Sequence, residues 1–526
     1  MYSARLNFKI VSSLFLMAST ALNHTHANSG ALEQIDLEGV TVLEENELTG
    51  IYEQFMEREI NEKDVKEMEN LLSSVYMKKG FPFVKVYSET SPNGDAINFR
   101  VVEGYLKEIY WQAEDSEPDY IIRQMIDKYK NNEAFNLKDF QDNLIIINSM
   151  NTRKISAILD KYKDENGNEV EGAFSITLVE DLLKMGTVSI AFDNNASKQL
   201  ERNQLTTSVK FNDLISKNER LNLAFTKSLL SNDMNAFSGS YEKMINMYGT
   251  TVDYSFNAGA QYPIGLLSEL DFINKTNSNS FGVTHPFYKT LTEGMYGNIN
   301  FAMKNVDTKM LGSKLYSDKI RTLSLGVYGD KMDSYNGKNT YSAVFIRGLD
   351  MFGASEANSS LSSNTSAKQE FSKLKLGLSR NQFLPYDFSF FTRLKGQVSG
   401  DSLLLSEKFT MGGAECGRGY NPSEFSGDAG ICSIAEIRQT YKTSIDNLIF
   451  QPFVHFDTGQ VHDVIRTSGV KSKATASSYG GGTKFTLPMN FSGVVSSSKG
   501  VNRKNYAGTK AKRPKMTFML GYDLDF

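Results

Sequence analysis

The stretch from Lys515 to Phe526 alternates without a break. Met516, Phe518, Leu520, Tyr522, Leu524 and Phe526 fall on one face, and Lys515, Thr517, Met519, Gly521, Asp523 and Asp525 on the other. A period of two is that of a β-strand with an apolar and a mostly polar side. The same alternation recurs from residue 185 onward, in about sixteen segments of about 11 residues, separated by polar turns and loops. That length suits a tilted span of a bilayer, and an even number suits a single-chain bacterial barrel. The expected fold class is therefore α+β modules followed by an all-β transmembrane barrel of antiparallel strands over 185–526. A soluble sandwich shares the alternation but rarely needs so many long strands.

Composition agrees. The chain has 526 residues, enough for two or three domains, with 34 Phe and 25 Tyr to face lipid and its interfaces. Past the N-terminus no apolar run reaches the roughly 20 residues of a spanning helix. The net charge of -4 leaves no basic stripe for a phosphate backbone, so nucleic acid is not an expected partner. Arg5 and Lys9 precede an apolar stretch from Ile10 to Leu22, and Thr25-His26-Ala27 offers a small-residue cleavage site. This is the pattern of a secretory signal peptide over 1–27. An exported chain meets an oxidising compartment, where Cys416 and Cys432, the only two cysteines, are able to pair. Two free thiols are the alternative.

Between 34 and 181 the pattern is mixed, and it repeats. Ile35–Leu43 alternates as a strand, and Leu48, Ile51, Tyr52 and Phe55 share a helical face. Val65, Met68, Leu71, Leu72, Val75 and Tyr76 share another, stopped at Gly80. Strands follow at Phe81–Tyr87 and Ala96–Val102, around Pro92-Asn93-Gly94. The order strand, helix, helix, strand, strand then recurs at Leu106–Trp111, Tyr120–Tyr129, Leu137–Ile147, Ile155–Lys161 and Ala173–Val179, a repeat of about 75 residues. Each unit buries two helices on a small sheet whose open edge can accept a strand from another chain.

The longest landmark in the strand-rich part is Gly400–Gly430, containing FTMGGAECGRGYNPSEFSGDAG. ICSIAEIR follows at Ile431–Arg438 and FVHFDTG at Phe453–Gly459. These segments resemble the transporters of two-partner (type V) secretion, the haemolysin secretion and activation proteins called TpsB, within the superfamily of POTRA–barrel outer-membrane transporters. The resemblance covers nearly all of the mature chain and rests on the ordered set of motifs, since no single one is specific. Val102-Glu103-Gly104 is similar to the end of the family's first module, Asn148 to a position in its second, Asp193-Asn194 to its first barrel strand and His285-Pro286 to a mid-barrel strand end. The resemblance implies POTRA modules at 34–104 and 105–181 in the periplasm, before a sixteen-stranded barrel. It also implies an inward-folded loop at 400–430 with Arg418, Gly419 and Tyr420 at its tip, and Asp457 on a following strand. Two positions depart from the family: Gly417 precedes the arginine where a β-branched residue is usual, and His455 stands where a Phe is common. About seven residues separate the cleavage site from the first module, too few for the plug helix of better-known members.

Physical chemistry supports such a tip. An arginine fork can hold a carboxylate through two parallel bonds, and strand alternation turns Gln451, Phe453, His455 and Asp457 inward while Val454 and Phe456 point out. An Arg418–Asp457 pair would pin the loop inside the pore, whereas an ordinary loop-tip cation would stay in solvent. The glycines at 412, 413, 417 and 419 suit a tight reversal; no Lys-Ser/Thr follows as a phosphate loop requires. No catalytic residue, metal or cofactor is expected: His285, His455 and His462 make no ligand pair at helical spacing, and a Ser–His site using His455 is the weaker reading. Phe526 is the expected assembly signal. The expected partners are an unfolded exoprotein such as a haemolysin or adhesin, outer-membrane lipid and the barrel-assembly machinery. The alternative function is a barrel-assembly factor; a passive porin would not need the repeats.

Overall fold

Asn61 and Gly80 delimit the first long helix. The Asn61 side chain accepts from the backbone N–H of Lys63 and Asp64, and the Asp64 side chain accepts from the Asn61 N–H, a reciprocal cap. At the other end Gly80 adopts φ +98°, which a side chain would oppose, and a Cβ there would meet Asn136. Between them Met68, Leu72 and Tyr76 recur every four residues and are buried. The computed structural model describes residues 31–526, save 114–116, 132, 151, 182, 198, 232, 357–358, 465–472 and 505–513. The expected signal peptide lies outside the described residues.

The first module runs β1 (Gln34–Glu38), α1 (Glu45–Tyr52), α2 (Glu62–Lys79), β2 (Lys85–Thr90) and β3 (Ala96–Val102), with sheet order β1-β3-β2. Ile97, Phe99 and Val101 of β3 point at the helices and are buried. Glu103 ties the module together: it accepts from the Thr41 N–H at 2.8 Å and from the Tyr76 hydroxyl at 2.6 Å. Burial, and then this carboxylate, push the Tyr76 phenol well above its ordinary range, so it stays a donor.

The second module repeats the order as β4 (Tyr105–Gln112), α3 (Tyr120–Tyr129), α4 (Leu137–Ile147), β5 (Lys154–Lys163) and β6 (Glu169–Asp181), in sheet order β4-β6-β5. Asn148 bonds both backbone groups of Ile155 at 2.8 Å, fixing where β5 begins. The modules are joined by more than their linker. The Leu137 N–H donates to the Gly80 carbonyl, Asn136 donates to the Lys79 carbonyl, and the Phe83 ring lies 4.7 Å from that of Phe174.

From Gly186 on, sixteen antiparallel strands close into a barrel, the short segment Tyr441–Lys442 continuing Ala429–Gln439. Val283, Ile299, Leu325 and Phe345 pair directly across four consecutive strands, and all four are exposed, as a lipid-facing band must be. Among the described residues no helix is long and apolar enough to cross a membrane. The ring shuts where Gly186–Asp193 meets Lys515–Asp525. The pairs run from Thr187↔Asp525 to Asp193↔Met519, with Asn194 bonded to the backbone of Met516 and Phe518 beyond them. Gly186 and Phe526 exchange both backbone hydrogen bonds at 3.1 Å, and a Cβ on Gly186 would strike the Phe526 ring.

Four details correct the sequence reading. Ile273–Lys289, Glu293–Met310 and Ser313–Met332 are 17, 18 and 20 residues long, well beyond the expected span. The Ser/Asn-rich composition of 354–367 reads as a long, mobile surface loop, but its described part is packed down: the Ser363 N–H donates to Asp318, and Ala367 joins Ile320, Phe371, Leu403 and Leu404 in a small core. Alternation alone places a strand at 487–498; the strand instead spans Phe491–Lys504, after a turn in which Met489 and Asn490 both take positive φ. His285-Pro286 lies within its strand rather than at the end, beside a bulge at Phe287.

Candidate functional site: the inward loop and its anchors

The segment between the strands Phe388–Ser399 and Ala429–Gln439 turns back in a small hairpin, Phe409–Met411 against Phe425–Gly427. Its tip is glycine-rich for a steric reason at two positions. Gly412 takes φ +117°, with Asn421 O only 2.1 Å from where a Cβ would stand. Gly419 lies against the wall, its would-be Cβ 2.4 Å from Gly500 N. Apolar packing holds the hairpin: Met411, Cys416, Tyr420, Phe425, Cys432 and Val461 form one buried cluster.

Arg418 projects from this tip between two carboxylates. Its Nη2 donates to Asp457 Oδ1 at 2.8 Å, and its Nε and backbone N–H donate to Oδ2 at 3.1 and 2.9 Å. Nη1 donates to Glu436 Oε2 at 2.7 Å. Asp457 is fully buried, while Val454 and Phe456 beside it are exposed, as the alternation requires. The Tyr420 hydroxyl donates to the Ser477 carbonyl at 3.0 Å, and its ring meets Phe425 edge-on. Cys416 and Cys432 are joined as a disulfide, with Cα atoms 6.3 Å apart, so the tip is bonded to the strand that follows it.

Further partners escaped the sequence reading. Glu436 accepts from Arg418, and also from Arg438 at 2.5 Å and Lys484 at 3.0 Å. Its signal was an acid among apolar residues in SIAEIR, on the face shared with Cys432. His455 bridges Asp457 at 3.2 Å and the Ser498 hydroxyl at 2.8 Å. That order mimics an acid–base–nucleophile chain, but Ser498 is 3% exposed in mid-strand and Asp457 is already held by Arg418. At the root of the loop, Glu407 accepts from Lys304 and Lys373, each at 2.7 Å, on two separate strands. Asp428 fixes the far side, accepting from the Leu403 and Val464 N–H groups.

Comparison with known proteins follows the same lines. Residues 174–484 match the family described as haemolysin secretion/activation protein ShlB/FhaC/HecB, and residues 31–104 match the ShlB-type POTRA domain. The heme/hemopexin transporter protein HuxB of Haemophilus influenzae is 20% identical over 86% of this chain and 80% of its own length. The outer membrane transporter CdiB of Dickeya dadantii is 21% identical over 76% and 70%. The solved structure of CdiB from Escherichia coli superposes with a TM-score of 0.81 at 17% identity, covering 96% of this chain and 93% of that one. Barrel, inward loop and periplasmic module together define an outer-membrane transporter of protein. Within that class, the chain belongs to the haemolysin secretion/activation family, ShlB/FhaC/HecB, and is a two-partner secretion transporter of the outer membrane. The barrel-assembly alternative is the less supported.

Proposed function

We propose that both N-terminal modules, 34–104 and 105–181, act as POTRA domains that capture one unfolded exoprotein in the periplasm. The client passes through the barrel while the loop at 400–430 stays anchored inside it. Capture proceeds by strand addition to an open sheet edge and by apolar grooves between helix and sheet. The observation carrying this reading is the buried grip of Arg418 on Asp457 and Glu436, which holds a long loop against the wall of the pore. The client is a large, repetitive haemolysin or adhesin. Lipid surrounds the barrel, and the barrel-assembly machinery inserts it. The Ser498–His455–Asp457 chain is read as a brace for the anchor rather than a hydrolytic site, because no substrate carbonyl reaches a serine so buried.

Deleting the chain tests the reading. One exoprotein should disappear from the medium while the other outer-membrane barrels keep their levels. Loss of many barrels would instead assign the chain to barrel assembly.

A further inference from the structure

The outward wall of the barrel changes character toward its extracellular end. The chain enters the ring at Gly186 from the periplasmic modules, so every odd strand climbs away from the periplasm. Glu293–Met310 is the seventh, and its Met310 end is extracellular. Side chains two apart share a face, so the lipid face can be followed upward from Val283 and Ile299. It passes Phe281 and Phe301, then reaches Asn277 and Lys275 on one strand and Asn305 and Asp307 on the next. Cross-strand pairing carries the same face sideways over five strands, in two rungs. The lower rung is Phe225, Phe237, Ala258, Asn277 and Asn305. The upper rung is Lys227, Asn235, Ala260, Lys275 and Asp307.

A furrow of about 600 Å³ lies across these rungs. Its floor is Ala258 and Ala260, whose single methyl groups leave the wall low between larger neighbours. One flank is aromatic: Phe225 and Phe237 are exposed, and the Phe256 ring lies 5.3 Å from that of Phe237. The other flank is polar, with Lys275, Asn277 and Asn305. Its carboxylate, Asp307, is already engaged by Lys314 at 3.3 Å and by the Ser317 hydroxyl at 2.7 Å. Among the described residues, Lys227 and Lys275 have no carboxylate partner. Two unpaired cations thus stand directly above exposed aromatic rings, on the face that meets lipid, at the level where headgroups lie. A lysine binds phosphate as a point charge, and an asparagine amide can both donate to and accept from a sugar hydroxyl. The two lysines are three strand spacings apart on one rung, about 14 Å at 4.8 Å per strand. A headgroup with two separated phosphates spans that distance, whereas a single phosphate reaches one lysine only.

We propose that this furrow is a binding site for a phosphorylated glycolipid of the outer leaflet. An acyl chain lies over Ala258 and Ala260 against the two phenyl rings, the phosphates sit on Lys227 and Lys275, and sugar hydroxyls meet Asn277 and Asn305. The full-length protein, purified in neutral detergent, is titrated with fluorescent lipid A carrying both phosphates. Lys227→Glu combined with Lys275→Glu should weaken binding at least tenfold. Ala258→Trp fills the furrow and should weaken it comparably with no change of charge. Lys243→Glu combined with Lys331→Glu alters charge equally on the same outward face at the periplasmic end, and should bind as the wild type does. The heat-modifiable band shows that each variant is folded. Unchanged binding in the folded Lys227 and Lys275 double variant, or an equal loss in the periplasmic-end variant, overturns the site. Unchanged binding in folded Ala258→Trp overturns the seat of the acyl chain. Unlabelled lipid A should displace the probe; inorganic phosphate and a phospholipid with one phosphate should not. Equal displacement by inorganic phosphate would show a free-anion site, and equal displacement by the phospholipid an unselective lipid surface; either result overturns the assignment to a glycolipid.

Discussion

Arg418 satisfies two buried carboxylates at once, and that fixes what its replacement does. Removing one member of a buried ion pair strands the other, a cost of about 3–5 kcal/mol. Arg418→Ala should therefore abolish most secretion while the barrel stays folded, because the sixteen strands do not depend on this contact. Arg418→Lys should fail nearly as badly, since an ammonium cannot span Asp457 and Glu436 in the fork's geometry. Asp457→Ala should resemble Arg418→Ala, and a quantitative secretion assay should find the double variant little worse than either single one. Multiplying losses would show that the two residues act apart. Glu436→Gln should be milder, because three contacts from Arg418 to Asp457 remain. Arg418 and Asp457 were legible from a short motif and from strand parity. Glu436 and Lys484 were not, because meeting them requires the register of three strands, which no local pattern states. At the barrel's closure, deleting Phe526 removes two backbone hydrogen bonds and the ring over Gly186. The heat-modifiable band should weaken on a gel, and an undiminished band would count against a role in assembly.

Among elements, the inward loop is the one whose hold is covalent. A disulfide closing a ring with a sequence separation of 16 contributes about 3 kcal/mol in the chain-entropy model. Cys416→Ser with Cys432→Ser should leave the barrel band intact but make the loop easier to cleave by protease added to intact cells. Two alkylatable thiols in the unreduced, denatured wild-type protein would refute the pairing. The element lengths show where sequence reading stops. Along Ile273–Lys289 and Ser313–Met332 the membrane-facing part alternates clearly, and alternation places strands at 277–288 and 318–331. The ends left out carry residues such as Asn274, Lys275, Lys314 and Ser317, so their two faces are alike in polarity. Period two then leaves no trace, although the ladder of hydrogen bonds continues. The packing of 354–367 was hidden for the opposite reason. Its partners Asp318, Ser402 and Leu403 come from other strands and from the root of the loop, and its Ser/Asn-rich composition reads as unstructured.

For the whole molecule, the periplasmic part is expected to be indispensable and separable. Removing Gln34–Glu103 should leave a heat-modifiable barrel in the outer membrane and no exoprotein in the medium; normal secretion by that deletion would refute capture by the first module. The height of the barrel adds a division of labour. Over an apolar band about 25 Å tall, an extended chain rising 3.3–3.6 Å per residue presents only about seven residues to the wall at any instant. Every part of a long client passes the same short window in turn. A window that must release each stretch as readily as the last cannot also choose among clients. Identity has to be checked before entry, at the sheet edges of the two modules, and a barrel given another transporter's modules should accept that transporter's cargo.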